Sequence, residues 1–194
     1  CRPLALHSLG RLRDVEADDL LLAAARDPQD PARDTALRAL LFMGSPRAAP
    51  VFREAIRTGP ASPVAAVGVV GSGLLSDRKA VPQLAQLLAE PLAAAGTDPI
   101  TSFHRGVQTL AVRALAQIDD PGSARCLERI LSEKRDDDLR REACLALGRL
   151  HSVESIAVLD TLSRDPKERL RVRKAAVAAL RRITGSEPPE GREK

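Results

Sequence analysis

An alanine followed four residues later by Leu or Val marks a recurring anchor along the chain, at Ala5/Leu9, Ala36/Leu40, Ala66/Val70, Ala111/Leu115, Ala143/Leu147 and Ala176/Leu180. Successive pairs lie 31, 30, 45, 32 and 33 residues apart. A unit of about 31 residues is therefore repeated, with one insertion of about 14 residues in the third copy. One residue after each alanine stands Leu6, Leu37, Val67, Val112, Cys144 or Val177, and seven after it stands Leu12, Met43, Gly73, Ile118, Leu150 or Ile183. Apart from Gly73, this spacing is the apolar stripe of a helix. Fifteen and sixteen residues after the alanine come Leu20–Leu21, Val51–Phe52, Val81–Pro82, Cys126–Leu127 and Val158–Leu159, and nineteen after it Ala24, Ala55, Ala85, Ile130 and Leu162. Those offsets mark one face of a second helix. Each unit is thus a helical hairpin that cannot bury its apolar face alone and must stack on its neighbours.

The expected fold is all-α, an α-solenoid of about five and a half stacked hairpins. The units fall near 1–30, 31–60, 61–104 (carrying an insertion at about 90–104), 105–138, 139–169 and a half unit at 170–184. Residues 185–194, opening on Gly185 and holding Pro188-Pro189, are expected to form a disordered tail. Asp30-Pro31, Ser62-Pro63 and Asp138 are expected to cap first helices, two of them with Pro in the first helical position.

Composition sharpens this picture. Apolar residues make up 44% and charged residues 29% of the 194, which is too apolar for disorder, while Trp and Tyr are absent and Phe occurs only three times. Ala, Leu, Val and Arg in their place suit closely packed helices better than strands. No apolar run approaches the ~20 residues of a membrane helix. The net charge of +4, with acids and bases interleaved, leans only slightly toward anionic partners. The abundance of Arg and Ala points to a GC-rich bacterial source. A chain opening on Cys1 reads as a fragment, with a lipidated mature N-terminus at Cys1 as the alternative. The favoured compartment is the cytoplasm, or the bacterial envelope if Cys1 carries a lipid.

The runs Arg2-Pro-Leu-Ala-Leu-His-Ser-Leu-Gly-Arg-Leu-Arg-Asp14 and Leu139-Arg-Arg-Glu-Ala-Cys-Leu-Ala-Leu-Gly-Arg-Leu-His151 resemble the HEAT-like repeat of the bilin lyase type. Its pattern is an Arg three before the alanine, then Ala-x-x-x-Leu-Gly-x-Leu, a short turn and a second helix. Arg2, Arg33, Arg140 and Arg173 match that first place, whereas Pro63 and Gln108 depart from it. The resemblance covers about residues 1–184 and implies the stacked fold while saying little about activity. The Trp, Tyr and Thr-Pro-Leu-His signatures of tetratricopeptide and ankyrin units, of similar length, are missing.

No residue set presents itself as catalytic, cofactor-binding or metal-binding. Gly68-Val-Val-Gly71-Ser-Gly73 lacks the lysine and the strand–helix context of a phosphate loop and reads as a local helix irregularity. Cys126 and Cys144 fall in core slots. None of His7, His104 and His151 is followed by Glu, so the paired His-Glu motifs with which deoxyhypusine hydroxylase holds iron are absent. His7 and His151 are expected on solvated positions.

Surfaces remain. Resemblance to HEAT-like stacks implies that second helices line the concave side, where Asp19, Arg26, Arg53, Arg57, Gln83, Arg125, Glu128, Asp160 and Arg164 would be displayed. The insertion, with Phe103 and His104, reads either as a tolerated loop in which Leu92 to Ala95 extends the preceding helix or as a functional loop with Phe103 as an interface anchor. Lys167, Arg171, Lys174, Arg181 and Arg182 make the last helix basic, either to cap the stack or to meet anions. The expected function is a non-enzymatic scaffold that holds another protein on the concave face and the insertion. The alternatives are a nucleic-acid-binding solenoid using its Arg-rich faces and, below that, an accessory subunit of a lyase or other enzyme.

Overall fold

The computed structural model describes residues 17–90, 99–118, 120–133 and 136–185. Among them are ten α-helices and no strand: α1 (Asp18–Arg26), α2 (Arg33–Met43), α3 (Ala49–Ile56), α4 (Pro63–Leu74), α5 (Val81–Ala89), α6 (Pro99–Gln117), α7 (Pro121–Ser132), α8 (Asp137–Arg149), α9 (Ile156–Arg164) and α10 (Leu170–Thr184). The even-numbered helices up to α10 are first helices of the hairpins, and α1, α3, α5, α7 and α9 are second helices. The first helix expected near residues 2–14, and the tail from 186, lie outside the described residues.

The chain divides into two compact units, Cys1–Ile118 and Asp119–Lys194. In the first, α1 packs on α2, α3 on α4 and α5 on α6, while α2 meets α4 and α4 meets α6. In the second, α7 packs on α8, α9 on α10, and α8 on α10. Within each unit the second helix therefore lies against the next first helix, and first helices stack on first helices, as repeated hairpins require.

The stack is built from slots filled alike in each repeat. Sixteen residues after the anchor sit Leu21, Phe52, Leu127 and Leu159, all buried, and Ala17, Ala48, Ser123 and Ser155 fill a buried slot four residues earlier. Burying one such large side chain stabilises the fold by about 1.5–3 kcal/mol before chain entropy is counted. Leu20 and Val158, expected inside, are 63% and 37% exposed, so the core face is narrower than the periodicity implies.

The third repeat runs two residues later than the alanine spacing places it. Ala66 and Val70 are only half-buried, whereas Gly68 and Ser72 are buried where Ala143 and Leu147 sit in the fifth repeat. Backbone bonds agree: Ser45, Asp77 and Ser152 donate from equivalent turns to the carbonyls of Leu40, Ser72 and Leu147. One residue before each of these donors the chain turns left-handed, at Gly44 (φ 65°), Ser76 (φ 49°) and His151 (φ 48°). In this register Leu84 fills the Phe52 slot and Ala80 the Ala48 slot, both buried. The shift has a steric cause. A Cβ at Gly68 would stand 2.5 Å from the Phe52 carbonyl oxygen and 2.8 Å from the Ala55 Cβ, so alanine does not fit the anchor here. Gly71 is pressed against the Phe52 ring. The glycine run is thus a regular stretch of α4 at a close helix–helix approach, and the expected irregularity is absent.

Caps also differ in detail. Ser62 precedes α4 with Pro63 in its first position, as expected, but makes no side-chain cap. Asp30 accepts from the Ala32 N–H, and α2 starts only at Arg33. At α8 the cap is Asp136, which accepts from the N–H groups of Asp138 and Leu139, and Asp138 lies inside the first turn.

Candidate functional site: the helix faces outside the core

The Arg three before the anchor has a structural duty. Arg33 Nε donates to the Ala25 carbonyl at the end of α1 (3.2 Å), and Arg173 Nε to the Ser163 carbonyl at the end of α9 (3.3 Å). Gln108 does the same with an amide, donating to Leu87 (3.2 Å) and Glu90 (2.8 Å) at the end of α5. A first helix thus closes the last carbonyls of the second helix before it, groups that otherwise lack intrahelical partners. Arg140 is turned elsewhere. It forms a buried two-point pair with Glu168 (2.8 and 2.6 Å), the side chains 6% and 8% exposed. In the corrected register Ala65, which has no donor, stands at this place in the third repeat.

Several residues expected to line a groove are also engaged in holding repeats together. Arg53 pairs with the largely buried Asp77 of the next hairpin, and Glu128 accepts from Ser155 Oγ (2.6 Å), itself bonded to Ser152. Asp19 pairs with Arg47 (2.6 Å), whose second carboxylate partner, Asp18, also accepts from Ser45. Arg57–Glu54 and Arg164–Asp160 are exposed pairs within one helix, each contributing a few tenths of a kcal/mol. The register shift moves Gln83 out of the stripe; it is half-buried, its amide nitrogen turned to the carbonyls of Lys79 and Ala80. Arg26 and Arg125 remain exposed. Two shallow grooves result, one of about 370 Å³ between Arg57, Gln83, Gln86 and Glu90, the other of about 330 Å³ between Arg125, Glu128, His151 and Glu154.

Phe103 and His104 do not belong to a loop. Residues 91–98 of the insertion lie outside the described residues, and from Pro99 onward the chain is α6, so the unit boundary drawn at 105 falls within a helix. Phe103 is 39% exposed, and Ile100, which the repeat pattern gave no reason to single out, is 71% exposed. Phe103, Val107 and Leu110 of α6 line a groove of about 400 Å³ with Ala66 of α4, and Arg113 stands at its rim. His104 is half-buried, its Nε2 enclosed without a partner among the described residues.

The basic residues at the end separate into two groups. Arg171 is held by Asp138 (2.7 Å) and Asp137 (3.2 Å), and the Asp137 hydrogen bond raises its pKa further. Lys167, Lys174, Arg181 and Arg182 are exposed, and their side chains have no partner among the described residues. Cys144 is buried, its thiol pushed up to about 12 by desolvation against the opposing pull of Arg140. Cys126 is half-buried rather than in the core, and burial raises it too. His151 is exposed at its turn, as expected, and His7 lies outside the described residues. Among the described residues no three His, Cys, Asp or Glu side chains are grouped to hold a metal, and no helix is long and apolar enough to cross a membrane.

Hairpins stacked in this way, three of their joints latched by the residue three before the anchor, define a helical-repeat α-solenoid. The sequence matches the HEAT repeats family over residues 2–71 and 100–181, and the chain belongs to that family. No curated protein matches the sequence. Among solved structures it is similar to human deoxyhypusine hydroxylase in complex with glycerol, at 19% identity and a TM-score of 0.44 over 93% of this chain and 69% of that one. It is also similar to the complex of CpcE and CpcF of phycocyanin lyase from Nostoc sp. PCC7120, at 23% identity and a TM-score of 0.45 over 92% of this chain and 80% of that one.

Proposed function

We propose that this HEAT-repeat chain is a non-enzymatic scaffold that holds another protein. The observation that carries this reading is the exposure of Ile100 and Phe103 on the first two turns of α6, with Phe103 lining an apolar groove together with Val107 and Ala66. An exposed large aliphatic side chain and, one turn on, an aromatic one lining an apolar groove are the anchor chemistry of protein interfaces, not of small polar substrates. In the same unit Arg26 and Arg57 are exposed on second helices and supply polar contacts, which fix register more than they add affinity. The test is a pull-down from source lysate with the intact chain and with I100E/F103E, both confirmed helical by circular dichroism. A protein retained by the first and lost by the second supports the scaffold. Identical retention by both refutes the anchor.

A second reading, nucleic-acid binding, is favoured by the unpartnered Lys174, Arg181 and Arg182 of α10. It requires retained nucleic acid that is released steeply between low and moderate salt.

A further inference from the structure

The outer face of α10 repeats the place of a face that the same fold covers elsewhere. On α8, which packs on α10, Cys144 is buried, and a Cβ at Gly148 would stand 2.9 Å from the Ala179 Cα. The equivalent residues on α10, one and five after its anchor Ala176, are Val177 and Arg181. Among the described residues no helix lies over them. Leu170, Lys174, Val177, Ala178 and Arg181 fall at successive helical spacings and line a cleft of about 360 Å³ with Arg173 and Ser163. The stripe runs for about 16 Å, close to three turns. Leu170 at its start is 62% exposed.

Two features determine what this face accepts. The fold itself covers the equivalent face of α8 with an α-helix, so the shape is that of a helix seat. Arg181 stands where the fifth repeat has Gly148, so a helix on this face cannot come as close as α10 comes to α8. The charge is one-sided: the fifteen residues of α10 include five cations and no acid. Arg171 is consumed by Asp137 and Asp138 and Arg173 by the Ser163 carbonyl, which leaves Lys174, Arg181 and Arg182 to face outward. A phosphate backbone would satisfy those cations and leave Leu170, Val177 and Ala178 without a counterpart. An acidic amphipathic helix satisfies both.

We infer that the outer face of α10 docks an acidic amphipathic helix of a partner protein, its apolar stripe on Leu170, Val177 and Ala178 and its carboxylates on Lys174 and Arg181. The inference rests on the scaffold reading in requiring a protein partner, but it uses a surface separate from α6. It is tested by selecting from a displayed library of 18-residue helical peptides on the intact chain, then measuring the enriched peptides by calorimetry against K174E/R181E, V177D and R125E. These positions lie outside the core, and circular dichroism checks each fold. The expected peptides carry acids beside an apolar stripe, lose at least tenfold in affinity to K174E/R181E and V177D, and bind R125E as they bind the intact chain. Neutral or basic peptides, peptides indifferent to K174E/R181E, or no α10-dependent peptide at all would overturn it. So would a 20-base-pair DNA duplex that binds more tightly than every peptide and is lost with K174E/R181E, since the face would then be a phosphate site. I100E/F103E leaves the peptide affinity unchanged, so failure at α10 and failure of the α6 anchor are distinguishable.

Discussion

Replacing Gly68 by alanine sets two effects of opposite sign against each other, and the structure decides between them. In a helix interior alanine is favoured over glycine by about 1 kcal/mol. At Gly68 the new Cβ would lie 2.5 Å from the Phe52 carbonyl oxygen and 3.0 Å from the Ile56 nitrogen. A carbon–oxygen contact normally settles at about 3.3–3.6 Å, so α3 and α4 must part by most of an ångström, and neither obstacle is a side chain that can swing aside. Overpacking of this kind costs about 1–3 kcal/mol, here at the upper end, and outweighs the propensity gain to leave a net loss of about 2 kcal/mol. Gly106 on α6 provides the control, because a Cβ there meets nothing within 4 Å. G106A should gain up to about 1 kcal/mol. With a urea slope of about 2 kcal/mol/M, the midpoint followed by circular dichroism falls by about 1 M in G68A and rises by up to about 0.5 M in G106A. If G68A unfolds at or above the wild-type midpoint with an unchanged slope, the close approach of α3 and α4 is wrong. The reassignment of the third repeat would fall with it.

R140A leaves the Glu168 carboxylate buried without its two-point partner and should cost about 3–5 kcal/mol in urea unfolding, with R140A/E168A recovering part of the loss. With its thiol raised to about 12, Cys144 should resist disulfide reagents at pH 8 in the folded C1S chain while Cys126 reacts, and both should react once the chain is unfolded. The folded Cys144 pKa lies above the ordinary value of 9.0, so its contribution is whole below about pH 9 and lost as pH rises toward 12. C144A should therefore lose less stability than wild type between pH 9 and 11.

The hairpin repeat, the slot filled by Leu21, Phe52, Leu127 and Leu159 and the all-helical class were legible because they rest on periodicity, which burial imposes directly on the sequence. The third repeat misled for a physical reason. Close approach of Phe52 demands Gly68 and a small Ser72 in the anchor slots, while Ala66 and Val70, on the flank of the same helix, imitate the usual pair. The Arg three before the anchor was visible as a pattern, but its task was not, because the carbonyls it closes belong to a helix about ten residues earlier. Surface residues were the least legible. Whether Arg53, Arg171 or Arg182 is available depends on acids 24 to 34 residues away, and only the folded chain shows that Asp77, Asp137 and Asp138 claim the first two.

The seams between successive hairpins are closed by two different devices, and that difference makes the first compact unit mechanically uneven. At α1–α2 and α5–α6 a long side chain spans the joint, Arg33 in one and Gln108 in the other, and its rotatable bonds can follow a small change of angle without releasing the carbonyl. At α3–α4 Ala65 offers no such tether, and backbone meets backbone across Gly68, where any shear is resisted at once by atoms already in contact. Under bending load the compliance gathers at the tethered joints while α3 and α4 travel as one stiff link, so a partner that flexes the array meets hinges on either side of a rigid block.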